Sequence, residues 1–216
     1  MELDPPKPRR RRSIRLKGYD YAQPGAYFVT ICVQNRECLL GEIADAQMRL
    51  NAVGAMAQTQ WQKLPERFPR LALDAFVFMP NHMHGIILIG AANGASAPDG
   101  ESTIGASVGA GLVPAPDEES TLGASTRDAP TISSPAALGD IIGAFKSITT
   151  HEYIIGVRQL GWPPFARKFW QRNYYEHVIR DEADLARLRV YIQNNPAQWA
   201  LDQLHPAAPP SGKARA

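Results

Sequence analysis

Two histidines one residue apart, His82-Met83-His84, stand inside an apolar run that continues through Gly85-Ile86-Ile87-Leu88-Ile89. Side chains alternate across an extended strand, so His82 and His84 point to one face and Met83 to the other, anchoring the strand from behind. Two imidazoles side by side on a rigid strand supply half of a divalent-cation site. Packing gives an apolar strand little reason to carry them, because buried polar groups need partners. The chain holds five histidines in all, so two on one strand face is a concentration of them.

Such a pair needs further ligands and, for catalysis, a nucleophile or an activated water. Near the other end of the chain, Tyr191-Ile192-Gln193-Asn194-Asn195 carries a phenol and an amide four residues apart. On a helix that spacing places both on one face, one above the other. One reading has the Asn195 amide oxygen complete a His-His-Asn set on a hard cation, with Tyr191 one turn away, placed to attack a phosphate held there. The other has Tyr191 packed on a sheet and Asn195 closing the helix. Spacing alone leaves both open.

The elements that must position these residues can be read from pattern. At 216 residues and 44% hydrophobic content the chain fits one domain with extensions. No apolar run approaches the roughly 18 residues of a membrane span. The charged, Pro-rich beginning is unlike a secretory signal. Cys32 and Cys38 match neither a redox pair nor a zinc knuckle, which points to reduced thiols in a cytoplasmic protein. No Gly-rich phosphate loop is present, so no nucleotide cofactor is expected.

Residues 26–34 read as a strand that turns back at 35–41 into a short partner. A helix is expected over 51–68, with Val53, Met56, Ala57, Trp61 and Leu64 on one side. Strands follow at 71–79 and 82–89 around Pro80-Asn81. A second helix runs from about 136 to 153, with Lys146 facing outward. A short strand at 168–171 and an extended piece or turn at 173–179 come next. Asp181-Glu182-Ala183-Asp184 places acids at the positive end of a last helix, which Pro196 closes, with a further turn or two over 197–204. This order implies an α+β fold. Its simplest form is ferredoxin-like, an antiparallel sheet with helices packed on one face.

The flanking and inserted segments differ in composition. Residues 1–13 form a flexible basic arm with Lys7, Arg9, Arg10, Arg11 and Arg12. Residues 91–135 are rich in Gly, Ala, Ser, Pro and Thr, contain no aromatic residue, and set six acids against Arg127 alone. They hold a repeat, Ala97-Pro98-Asp99-Gly100-Glu101-Ser102-Thr103 recurring as Ala115-Pro116-Asp117-Glu118-Glu119-Ser120-Thr121, with no core-forming face. This reads as a disordered insertion, and residues 205–216 as a disordered tail. The folded domain is therefore expected over 14–90 and 136–204. With the insertion acidic and the net charge +2, the folded part is basic, which suits a polyanionic partner.

Three motifs, in order, carry a resemblance: Pro80-Asn81-His82-Met83-His84; Trp170-Gln171-Arg172 leading to Glu176-His177-Val178-Ile179-Arg180; and Tyr191-Ile192-Gln193-Asn194-Asn195-Pro196. Together with Ser13-Ile14-Arg15-Leu16-Lys17-Gly18-Tyr19-Asp20-Tyr21 and Phe28-Val29-Thr30, they resemble the REP-associated tyrosine transposases. These belong to the single-tyrosine transposases with a His-hydrophobic-His motif. The resemblance implies a ferredoxin-like fold, Tyr191 as nucleophile, His82 and His84 as metal ligands and Asn195 as a third. It favours Mg²⁺ or Mn²⁺, although imidazoles suit Zn²⁺ as well. The insertion at 91–135 departs from the pattern.

The chemistry implied is DNA transposition by transesterification: Tyr191 cuts one strand of single-stranded or hairpin DNA, forms a 5′-phosphotyrosine, and a 3′-OH later reverses the step. Candidates for holding the DNA are Arg10, Arg11, Arg12, Arg15, Lys17, Tyr19, Arg167, Lys168, Trp170 and Arg172. The alternatives are a catalytically inactive hairpin-binding protein of the same fold and a metal-dependent hydrolase that uses water. Monomer and homodimer are both compatible with the sequence, and His177 has no derivable role beyond a structural hydrogen bond or a DNA contact.

Overall fold

A computed structural model describes residues 18–90 and 136–208. The basic arm with Arg10, Arg11, Arg12, Arg15 and Lys17, the insertion, and the end of the tail lie outside the described residues. Strands β1 (Gly25–Cys32), β4 (Leu71–Met79), β5 (His82–Ile89) and β6 (Tyr175–Ile179) form one antiparallel sheet in the order β4-β5-β1-β6. Short strands β2 (Gly41–Ala44) and β3 (Gln47–Leu50) form a separate hairpin. The helices are α1 (Ala52–Gln62), the single turn α2 (Leu64–Arg67), α3 (Leu138–Gln159) and α4 (Glu182–Asn194), followed by a 3-10 turn over Pro196–Leu201.

Strand alternation divides the core in two. Tyr27, Val29 and Ile31 of β1 and Met83 and Ile87 of β5 face α1 and α3, where Trp61 and Phe145 meet edge to face at 5.2 Å. Burying each such large side chain stabilises the fold by about 1.5–3 kcal/mol. On the other side, Phe28, Ile86 and Ile179 meet Leu188 and Ile192 of α4. The α+β class and the antiparallel sheet are as expected. Packing on one face describes α1 and α3, while α4 covers the opposite face.

Local signals fix the ends of these elements. Asn51 caps α1 by accepting a hydrogen bond from the Gly54 amide at 2.9 Å, and Asp181 caps α4 through the Asp184 amide at 2.8 Å. A two-residue turn, Pro80-Asn81, joins β4 to β5. A bulge between Leu73 and Phe76 breaks the β4–β5 register beside Asp74. The expected strand at 168–171 is reduced to a single bridge between Val33 and Trp170, and the piece at 173–179 forms β6.

Candidate active site

β5 lies inside the sheet, between β4 and β1, and presents His82 and His84 to the α4 side. Both imidazoles are buried, and their Nε2 atoms are 3.1 Å apart. Each outer ring nitrogen has a partner. The Asn81 side chain donates from Nδ2 to the carbonyls of Arg36 at 3.1 Å and Leu204 at 2.8 Å, so its Oδ1 is the atom 2.8 Å from His82 Nδ1. An amide oxygen only accepts, so His82 carries its proton on Nδ1 and turns a bare Nε2 toward His84. His84 Nδ1 meets the Thr30 hydroxyl at 2.8 Å, a group that can accept or donate. Burial first, then the neighbouring His84 and Arg36, hold His82 well below the ordinary imidazole range; burial lowers His84 to about 3. Both rings are therefore neutral at pH 7, the form that ligates metal.

Helix α4 delivers Tyr191 to this pair. Leu188 and Ile192 dock on Phe28, Ile86 and Ile179. Arg189 grips Asp74 at the β4 bulge through two bonds, Nε to Oδ1 at 3.0 Å and NH2 to Oδ2 at 2.6 Å. His177 of β6 meets Asp184 at 2.6 Å, which gives His177 its structural role. So held, α4 places the Tyr191 hydroxyl 3.2 Å from His84 Nε2, with the phenol 40% exposed. Burial first, then the Asp202 carboxylate, raises the phenol above its ordinary range, with the Asn195 amide acting in the opposite direction. A cation beside it would favour the phenolate.

Asn195 and Asp202 complete the constellation. Asn195 ends α4, is 4% exposed, and its Oδ1 is buried without a partner. Asp202 Oδ2 is also buried without a hydrogen bond, 3.5 Å from His82 Nε2. Ligand atoms of His82, His84 and Asp202 lie within 4.8 Å of one another. The bare His82 nitrogen and the orphaned Asp202 carboxylate oxygen, 3.5 Å apart, repel unless something positive lies between them. The two imidazole nitrogens and the Asp202 oxygen therefore fit a divalent cation, and Asn195 lines the same cleft.

Asn81 and Thr30 stand in the quoted motifs but were given no role by sequence reasoning, and Asp202 was not singled out. Asp202 carried one weak signal, a carboxylate just beyond the Pro196 break. Lys146 was expected to face outward, yet its Nζ donates to the carbonyls of Gln171, Arg172 and Asn173 at 2.9, 3.3 and 3.1 Å. It thereby pins the loop entering β6. Among the DNA-contact candidates, Arg167, Lys168 and Arg172 are exposed. Trp170 is not available for stacking on a base: it is 4% exposed, rests against Phe145 and Phe169, and donates its indole N–H to Thr149 at 2.7 Å. Tyr19 packs on Tyr21 and Tyr27. A cleft of about 680 Å³ opens from His84 along Thr30 to Tyr175 and the segment 198–204.

No protein-family model matches the sequence. An uncharacterised protein of Haemophilus influenzae is 38% identical over 201 residues, which span 90% of this chain and 93% of the relative. A solved structure of a REP-associated tyrosine transposase bound to a REP hairpin aligns with a TM-score of 0.50 at 17% identity, covering 87% of this chain and 74% of that one. The chain thus belongs to one family with the Haemophilus influenzae protein, built on the fold seen in the REP-associated tyrosine transposases.

Proposed function

We propose that the protein is a transposase-type DNA strand transferase, which nicks and rejoins single-stranded, hairpin-bearing DNA through Tyr191. The observation that carries this reading is the Tyr191 hydroxyl 3.2 Å from the buried, neutral His84 Nε2, in a cleft that both residues line. A structural tyrosine on a sheet has no need of that neighbour, nor of two orphaned oxygen donors beside it.

In this reading His82, His84, Asn195 and Asp202 hold Mg²⁺ or Mn²⁺, which supplies charge neutralisation at the scissile phosphate when bound. The Tyr191 oxygen attacks phosphorus in line. The bond from phosphorus to O3′ breaks, the departing 3′ oxygen takes a proton, and the 5′ end stays esterified to Tyr191. The phenol proton passes to water in the cleft, since the His84 Nε2 beside it serves as a metal ligand in this reading. Because the ester keeps the bond energy, an incoming 3′-OH can displace the tyrosine and join new ends. All named groups come from one chain, so the site works in a monomer. Residues 14–90 and 136–204 act as one domain, with the basic arm and Arg167, Lys168 and Arg172 meeting DNA phosphates.

The test is incubation with a hairpin oligonucleotide bearing a single-stranded flank, in Mn²⁺, with products separated under denaturing conditions. A covalent protein–DNA adduct that disappears in Tyr191→Phe supports the reading. Tight binding with no cleavage makes the chain a hairpin-binding protein. Cleavage that survives Tyr191→Phe makes it a hydrolase that uses water.

A further inference from the structure

The cleft beside Tyr191 is unusual in what lines it. Its described lining includes five side-chain amides and no lysine or arginine, and its only carboxylate is Asp202. A groove that tracked a DNA backbone would need cations along its length. Apolar surface is concentrated here as well. Of the six large hydrophobic side chains exposed on the described residues, three, Tyr175, Tyr191 and Leu201, line this one cleft. Tyr175 is 54% exposed and Leu201 86% exposed.

Strand register explains the layout. His84, Thr30 and Tyr175 are cross-strand partners on β5, β1 and β6, so one row of the sheet leads from the cation site to an exposed phenol at the sheet edge. Asn173 lies just before that edge strand, and Gln198 faces it from the 3-10 turn after α4. Neither amide side chain makes a hydrogen bond to another described residue. The loop bearing Asn173 is nonetheless fixed by Lys146. An exposed flat ring, an apolar lip and free amides that can both donate and accept match a nucleobase, which has apolar faces and polar edges.

We propose that this cleft is a base-binding subsite: it takes an unpaired nucleobase next to the scissile phosphate, stacked on Tyr175 with its edge read by Asn173 and Gln198, while the backbone stays outside. This rests on the strand-transferase reading for the position of the phosphate, and it gives that reading its selectivity for single-stranded DNA, since a base paired and stacked in a duplex offers neither its pairing edge nor an open face. The neighbouring cations Arg167, Lys168 and Arg172 are exposed and line no part of the cleft, which leaves them to the backbone.

The experiment is a binding cycle on the full chain carrying Tyr191→Phe, so that cleavage plays no part. Two probes are compared by fluorescence anisotropy in Mn²⁺: a DNA hairpin with an oligothymidine flank, and the same hairpin with an abasic flank. With Tyr175 present, loss of the bases weakens binding about tenfold. With Tyr175→Ala added, the thymidine probe binds as weakly as the abasic one and the difference between probes shrinks to about twofold or less. Tyr175→Phe restores the difference. A probe difference that is unchanged in Tyr175→Ala, or absent with Tyr175 present, overturns the proposal. A base-dependent difference from a protein whose unmutated form makes no tyrosyl adduct would remove the strand-transferase reading and leave the base subsite standing.

Discussion

Replacing Asn81 by alanine tests how the site is held. Asn81 is fully buried and does three things at once: it accepts from His82 Nδ1 at 2.8 Å and donates to the Arg36 and Leu204 carbonyls. Each hydrogen bond contributes about 1 kcal/mol net, and a carbonyl left dry costs about 1–3 kcal/mol. Asn81→Ala should therefore lower unfolding free energy by about 3–5 kcal/mol, less where water enters. The His82 ring also loses the group that fixes its tautomer, which typically lowers metal affinity by about 10–100-fold. Urea denaturation gives the first quantity and Mn²⁺ titration by calorimetry the second. A variant with metal affinity within about twofold of the parent would refute the orienting role of Asn81, even if stability fell as expected.

Further consequences follow from the same geometry. Asp202→Asn removes the one anionic donor beside the histidines among the described residues and should weaken Mn²⁺ binding by about tenfold or more, read by the same titration. Arg189 beside Asp74 holds that carboxyl below the usual carboxylate range, so its stabilisation is present above the unfolded pKa and lost as pH falls through the lower folded one. With Arg189 partly exposed it is worth about 1 kcal/mol, and Asp74→Asn should flatten the fall in melting temperature on acidification below about pH 4. His84, lowered to about 3 by burial, acts in the same direction over a higher window. In chelator, stability should drop as pH falls below about 6.5, by up to about 1.4 kcal/mol per pH unit for each buried imidazole, and the slope should lessen in His84→Gln. Gly85→Ala would drive a Cβ to 2.7 Å from Trp61 and 3.1 Å from Met83, and should cost about 1–3 kcal/mol in thermal or urea unfolding.

The parts of the site that were legible in sequence are those governed by local period. A two-residue repeat on an apolar strand put His82 and His84 on one face, and a four-residue step put Tyr191 above Asn195. What joins them is not local. The Asn81 bonds span 45 and 123 residues, and the Arg189–Asp74 grip spans 115. Asp202 follows a helix break, where no period predicts direction. The β2–β3 hairpin was missed because its turn, Asp45-Ala46, has positive φ at both residues without the glycine that marks such turns. Trp170 misled for a chemical reason: an indole in a basic stretch suggests stacking on a base, but here Thr149 satisfies its N–H and the ring completes the core.

The most direct measurement is peptide mass spectrometry on the trapped protein–DNA adduct after nuclease digestion. The account predicts a nucleotide joined through its 5′-phosphate to the tryptic peptide Val190-Tyr191-Ile192 onward, with fragment ions assigning it to Tyr191. A nucleotide found on any other residue, or a 3′-phosphoryl linkage, would contradict it.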